Sequence, residues 1–240
     1  MNSSSFSHHI SKKYNHELEE IRTQVSQMGG LVQKQTLDAV NAMLYGDTKL
    51  AEDVITQDHT VNRYEVTIDE ECTRILALRQ PTAGDLRLVI AMIKSITDLE
   101  RIGDQAGRIA HFAIRMGHSR NNQQDYYLKL NHLSERVNLV LEKTLQSLLR
   151  LDTELAISVV KMDASIDNEY DSIMRQLSTY MMEDPRNISH VLDAMWVARA
   201  LERIGDHAQN ICEYVIYLVK GKNIRHVAID EKERAASGDS

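Results

Sequence analysis

Two acidic pairs, Glu100/Asp104 and Glu202/Asp206, lie four residues apart inside an identical hexapeptide, L-E-R-I-G-D, at Leu99–Asp104 and again at Leu201–Asp206. On a helix that spacing puts both carboxylates of a pair on one face, one turn and roughly 6 Å apart. The upstream segments supply further oxygen donors at helical spacing: Asp58, Asn62 and Glu65 in the first half, Asp163, Asp167 and Asp171 in the second. If the middle turns of neighbouring antiparallel helices face one another, four or more carboxylates converge there. They repel unless a cation lies between them. Oxygen-only donors select hard or borderline ions such as Mg²⁺, Mn²⁺ or iron over copper.

A single E-x-x-x-D on a helix is ordinarily a solvated face or an ion pair, here with Arg101 or Arg203, stabilising by about 0–1 kcal/mol. Three features favour metal binding instead. The pair is duplicated, acids oppose it from the preceding helix, and glycine recurs between its members at Gly103 and Gly205. A mid-helix glycine costs about 1 kcal/mol against alanine, so its recurrence points to a close approach by a backbone or a ligand.

The repeat offset, 201 − 99 = 102 positions in a chain of 240 residues, marks an internal duplication. Hydrophobic periodicity of 3.6 divides the chain into six amphipathic helices, at about 14–45, 48–79, 83–116, 125–151, 153–182 and 187–220. Gly46-Asp47, Gln80-Pro81, Gly117, Asp152, Asp184-Pro185 and Gly221 punctuate them, with Asp47 (or Thr48) and Asp152 placed to cap the helices that follow. The fold class expected is all-α: two tandem three-helix bundles over residues 14–117 and 125–221. A polar linker at 118–124 joins them, and a flexible tail follows at 228–240.

Helix three carries two rows. Val89, Met92, Ile96, Leu99, Ile102, Ala106, Ile109 and Ala113 form a core row. A second begins Leu86, Ile90, Ile93 and continues as Thr97, Glu100, Asp104, Gly107, so the acids are expected to be half-buried.

The remaining composition narrows function by exclusion. A formal net charge of −7 disfavours binding to nucleic acid. No run of 18 apolar residues is present to span a bilayer, and the first residues lack the pattern of a secretory signal. Cys72 and Cys212 are far apart and read as reduced, buried thiols, which with the missing signal suggests a cytoplasmic setting. Ten histidines include no H-x-x-x-H or H-E-x-x-H on a helix face, and His207 reads as an ordinary half-exposed residue. Neither His16-Glu17 nor any glycine-rich loop or nucleophile elbow gives a catalytic signature of substance. The helix connection Arg79-Gln80-Pro81-Thr82-Ala83-Gly84-Asp85-Leu86-Arg87 is not copied in the second half. Thr82 with Asp85 suits a capping box, and Arg79, Pro81, Thr82, Asp85 and Arg87 form a candidate partner-binding tip.

L-R-Q-P-T-A-G-D-L-R-L (Leu78–Leu88), D-L-E-R-I-G-D (Asp98–Asp104), M-M-E-D (Met181–Asp184) and L-E-R-I-G-D-H-A-Q-N-I-C-E (Leu201–Glu213) together resemble the PhoU family of phosphate-signalling regulators. The resemblance implies two tandem three-helix bundles whose E(D)-x-x-x-D motifs bind metal ions, with Mg, Mn, Fe or Zn as candidates. It places those motifs on Glu100/Asp104 and Glu202/Asp206. Asp98 adds an acid to the first motif that Ala200 lacks in the second, so the two sites are expected to differ in nuclearity or affinity. The helix-two ligands would be Asp58 and Asn62, with Asp163 and Asp167 in the repeat.

The resemblance further implies a non-enzymatic negative regulator of the phosphate-starvation response. Its partners would be the ATPase subunit of a phosphate ABC transporter and a membrane sensor histidine kinase, and it would be a homodimer that meets the membrane only through those partners. A metal-dependent phosphohydrolase with a carboxylate-bridged dimetal site is the alternative of a different class, although no base–nucleophile pair is evident. A plain docking surface for basic partner residues is a third reading of the acid stripe.

Overall fold

A computed structural model describes residues 12–117, 126–224, 227 and 236, and the described chain is helical throughout its ordered elements. The helices are α1 (Lys12–Tyr45), α2 (Thr48–Arg79), α3 (Ala83–Gly117), α4 (Tyr126–Arg150), α5 (Thr153–Glu183) and α6 (Ile188–Lys220), with one 3-10 turn at Pro185–Asn187. Every expected helix is present to within a few residues. The linker at 118–124 and nearly all of the tail at 228–240 lie outside the described residues.

The helix ends form where side chains can satisfy orphan backbone groups. The Asp47 carboxylate accepts the Leu50 amide at 3.0 Å, and Asp152 accepts both the Glu154 and Leu155 amides at 3.0 Å. Such a cap is worth about 1 kcal/mol. Gly221 closes α6 in the left-handed region (φ 71), its N–H reaching the Tyr217 carbonyl at 2.8 Å.

Each half is a three-helix bundle, α1–α3 and α4–α6. The α1 face through Leu18, Ile21, Val25, Met28, Val32, Ala39 and Met43 is buried, as is the whole α3 core row from Val89 to Ala113. The halves do not stand apart. Helices α3 and α6 pack antiparallel along a long shared seam, and α1 also touches α4. Lys94 lies over the rings of Tyr214 and Tyr217 at one end, and Phe112 lies against Trp196 at the other. The two copies of the hexapeptide therefore lie on adjacent, oppositely directed helices at the centre of the molecule.

One residue of the tail is described, and one expectation needs correction. Ala236, in the segment read as a flexible tail, is 5 % exposed, and its carbonyl accepts Thr153 Oγ1 at 3.5 Å at the start of α5. His207 is no half-exposed bystander: its side chain is 15 % exposed and its Nδ1 lies 2.7 Å from Asp98 Oδ1 across the seam.

Candidate metal centre

In the first bundle α2 lies against α3 at Gly103. A Cβ on that glycine would stand 3.4 Å from Val61 Cγ1, 3.4 Å from Gln35 Oε1 and 3.6 Å from Asp58 Oδ1. The glycine thus faces side chains of α1 and α2, the Asp58 carboxylate among them. The second bundle repeats the arrangement, with Gly205 facing Ile166 Cδ1 at 3.3 Å and Asp163 Oδ1 at 3.9 Å. The equivalences Asp58/Asp163 and Val61/Ile166 hold in space as they do in sequence. The close approach inferred from the glycines is that of the preceding helix and its acid.

Glu100, Asp104, Asp58 and Asn62 are half-buried, continuing the row begun by Ile90 and Ile93. Desolvation, then the Asp104, Glu65 and Asp58 charges, push the Glu100 carboxyl up to about 7. Asp58 is raised by desolvation and then by Asp104, and Glu65 by desolvation and then by Asp69. Asn62 donates to Asp58 Oδ2 at 3.4 Å. Among the described residues, neither Arg101 nor Arg203 closes an ion pair with the stripe; each only lowers the neighbouring glutamate's pKa through space.

The second bundle holds its acids differently. One oxygen each from Asp163, Asp167 and Asp206 lie within 4.8 Å of one another. Glu202 is raised by desolvation, then by Asp206 and Asp167, and Asp206 by partial desolvation and then by Asp167. The Gln209 amide is placed to donate to Asp163. Tyr170 stands where Glu65 stands in the first bundle, its phenol raised by burial and then by Glu202.

Three buried oxygens test whether the first site fits a cation: Gln35 Oε1, Asp58 Oδ1 and Asn62 Oδ1 have no hydrogen-bond donor. Gln35 is fully buried, and its amide nitrogen faces the Val54 carbonyl at 3.5 Å, which leaves the oxygen on the Gly103 side. Buried acceptors without donors cost about 1–3 kcal/mol each. A bound cation removes that cost as well as the mutual repulsion of the carboxylates. The residues present therefore fit a hard, oxygen-coordinated ion.

Asp98 is not part of this face. Two residues before Glu100 it points to the opposite side of α3, where it is 3 % exposed and pairs with His207, with Asn210 Nδ2 at 3.3 Å. The asymmetry expected from Asp98 against Ala200 belongs to the α3–α6 seam, not to the metal face. Gln35 and Gln209 were not expected at all. Gln35 carried a usable signal, a polar side chain within the apolar face of α1 between Val32 and Ala39.

The tip residues are mostly occupied within the chain. Arg79 grips buried Glu17 with Nε and Nη2 at 2.9 Å each, and Arg74 adds a third contact at 3.4 Å. Asp85 is buried beside Tyr14, whose phenol is pushed up to about 12 by burial and by that carboxylate. It lies in the first turn of α3. The Thr82 carbonyl accepts the Asp85 and Leu86 amides at 3.0 and 3.5 Å. Arg87 lies under the end of α6, its Cζ 4.0 Å from the Cβ position of Gly221. Thr82 is exposed and Pro81 half-exposed.

Fold and site together define a duplicated, all-helical protein with an acid stripe on each bundle and no helix, among the described residues, long and apolar enough to cross a membrane. The PhoU domain model matches residues 25–113 and 130–215, one match per bundle, and the chain belongs to the PhoU family. It is 48% identical over 229 residues, 95% of this chain and 94% of the relative, to the phosphate-specific transport system accessory protein PhoU homolog of Pseudomonas aeruginosa. Identity to the phosphate-specific transport system accessory protein PhoU of Escherichia coli K12 is 46% over 238 residues, 99% and 98% of the two chains. The crystal structure of PhoU from Pseudomonas aeruginosa matches with a TM-score of 0.85 at 49% identity, covering 87% of this chain and 100% of that one. The phosphate transport system regulatory protein PhoU from Streptococcus pneumoniae matches at 0.80 and 28% identity, covering 88% and 98%.

Proposed function

We propose that this chain is a metal-binding accessory protein of phosphate transport that holds the phosphate-starvation response off when phosphate is plentiful. The relatives' names supply the phosphate transport system and, for the Streptococcus pneumoniae protein, the regulatory role. The observation that carries metal binding is the pair of acid stripes, each with carboxyls raised in pKa by burial and by like charge, together with the donorless buried oxygens at the first of them. Glu100, Asp104, Asp58 and Asn62 would hold an ion on the first bundle, and Glu202, Asp206, Asp163 and Asp167 one on the second. The all-oxygen donor set suits Mg²⁺ or Mn²⁺ best, with iron and Zn²⁺ as the further candidates. The ion would cross-link α2 to α3 and α5 to α6, fixing the outer face of each bundle for docking.

In this reading the protein works in the cytoplasm as a homodimer, contacting the ATPase subunit of a phosphate ABC transporter and the sensor histidine kinase of the phosphate regulon. It performs no catalysis of its own. The test is genetic: deletion should derepress phosphate-scavenging genes in high phosphate. The wild-type chain should restore repression, and Glu100→Ala/Glu202→Ala should fail to do so at equal protein level. Normal repression in the deletion strain, or full complementation by the double variant, overturns it.

A further inference from the structure

The α3–α6 seam is pseudo-symmetric, and its two ends have diverged. At one end the buried Asp98 meets His207 and Asn210, with Lys94 over Tyr214 and Tyr217 at 5.5 and 6.0 Å. The repeat places Trp196 and Ala200 at the opposite end where the first half has Lys94 and Asp98, facing Phe112 and Arg108 where the first end has Tyr214 and Asn210. Replacing the buried acid by Ala200 removes both a counter-charge and a side chain. An open cleft of about 540 Å³ results, lined by Arg108, Arg199 and Arg203 together with Phe112 and Trp196. Arg115 also borders it but is engaged by Asp193 and lies over the Phe112 ring at 4.9 Å.

We propose that this cleft binds a nucleoside polyphosphate, with the phosphates on Arg108, Arg199 and Arg203 and the base against Trp196. Among the described residues those three arginines form no ion pair, although the chain as a whole carries a formal charge of −7. Guanidinium groups take phosphate oxygens in bidentate pairs. Trp196 is 52 % exposed, with its ring within 3° of parallel to Phe112 at a centroid distance of 6.5 Å. It leaves aromatic surface in water beside the arginines, the setting in which a base stacks. The cleft lies in the volume range of small-molecule sites and is far larger than one phosphate ion needs. Arg199 and Arg203 border the second acid stripe, whose Glu202 they influence through space, whereas Arg108 lies on α3 across the seam; the proposal does not require a metal on the stripe.

Trp196 is the single tryptophan of the chain, so its emission reports this cleft alone. Full-length protein in metal-free buffer with chelator is titrated with ATP, with tripolyphosphate and with a poly-glutamate peptide, with excitation on the red edge of the tryptophan band. ATP should give a saturable change, and tripolyphosphate and the peptide should bind about tenfold more weakly or worse, since base stacking is worth about 1–3 kcal/mol. Arg108→Ala/Arg199→Ala should weaken ATP by at least about tenfold with an unchanged thermal melt. By calorimetry, Trp196→Phe should keep ATP binding and Trp196→Ala should lose most of it. No saturable change up to millimolar ATP, equal binding of tripolyphosphate or the peptide, or an unaffected arginine variant would overturn the proposal.

Discussion

In the first bundle the oxygens that face Glu100 and Asp104 are buried and lack donors, whereas in the second Asp163, Asp167 and Asp206 already crowd within 4.8 Å at a more open surface. Leaving aside exposed Asp171, whose equivalent in the first half is Val66, each face has four carboxylates. The first has Asp58, Glu65, Glu100 and Asp104; the second has Asp163, Asp167, Glu202 and Asp206. The exchange of Glu65 for Tyr170 is matched by that of Asn62 for Asp167. Duplication followed by drift has thus preserved total negative charge while moving one carboxylate a turn along the second helix. What persists is a cluster of like charge on each outer face; what changes is where along the second helix it lies.

The largest expected effect is on metal affinity. Glu100→Ala/Glu202→Ala should lower Mn²⁺ affinity on the order of 100-fold or more, because even outer-shell partners of metal ligands are worth about 10–100-fold. Next is the seam. Asp98→Ala removes one partner of a buried pair and should destabilise the fold by about 3 kcal/mol in denaturant melts, while leaving Mn²⁺ binding as in wild type. Loss of metal binding in Asp98→Ala would return that residue to the stripe.

The pH dependence should separate the two faces more finely. Glu100 has a folded pKa of about 7, above its ordinary value of 4.5. The native metal-free state therefore binds more protons than the unfolded chain between those values, so stability falls as pH rises through that window. Melting of the metal-free protein from pH 4.5 to 7 should show this slope, flattened in Glu100→Gln. Mn²⁺ binding to the first face should strengthen over the same rise in pH, because the ion competes with that proton. The smallest effect belongs to the glycines. Gly103→Ala and Gly205→Ala gain about 1 kcal/mol of helix propensity and lose a comparable amount as Val61 and Ile166 give way, so melts should shift little.

Helix number, order and ends were legible because the apolar period and the Asp47, Asp152 and Gly221 punctuation are local signals. The stripe was legible because a repeat displays its own equivalences, which located Asp58 against Asp163 before any packing was known. The seam was not. Asp98 lies only two residues from Glu100, and periodicity alone cannot tell which neighbour an off-row polar residue meets when three helices and a second bundle surround it. The Asp98–His207 pair spans 109 positions of sequence, and no local pattern announces a contact at that distance. Gln35 was hidden for the converse reason: it shares a row with core residues, and its free oxygen is visible only once Gly103 is placed beside it.

The central claim is that both bundles keep an oxygen-donor cation face and that the two faces are not equal. Calorimetric titration of the metal-free full-length chain with Mn²⁺, in wild type, Asp104→Ala and Asp206→Ala, tests it most directly. The account predicts two classes of site in wild type, with each variant losing a different one. Wild-type binding in both variants, or a single class abolished by either substitution, would contradict it.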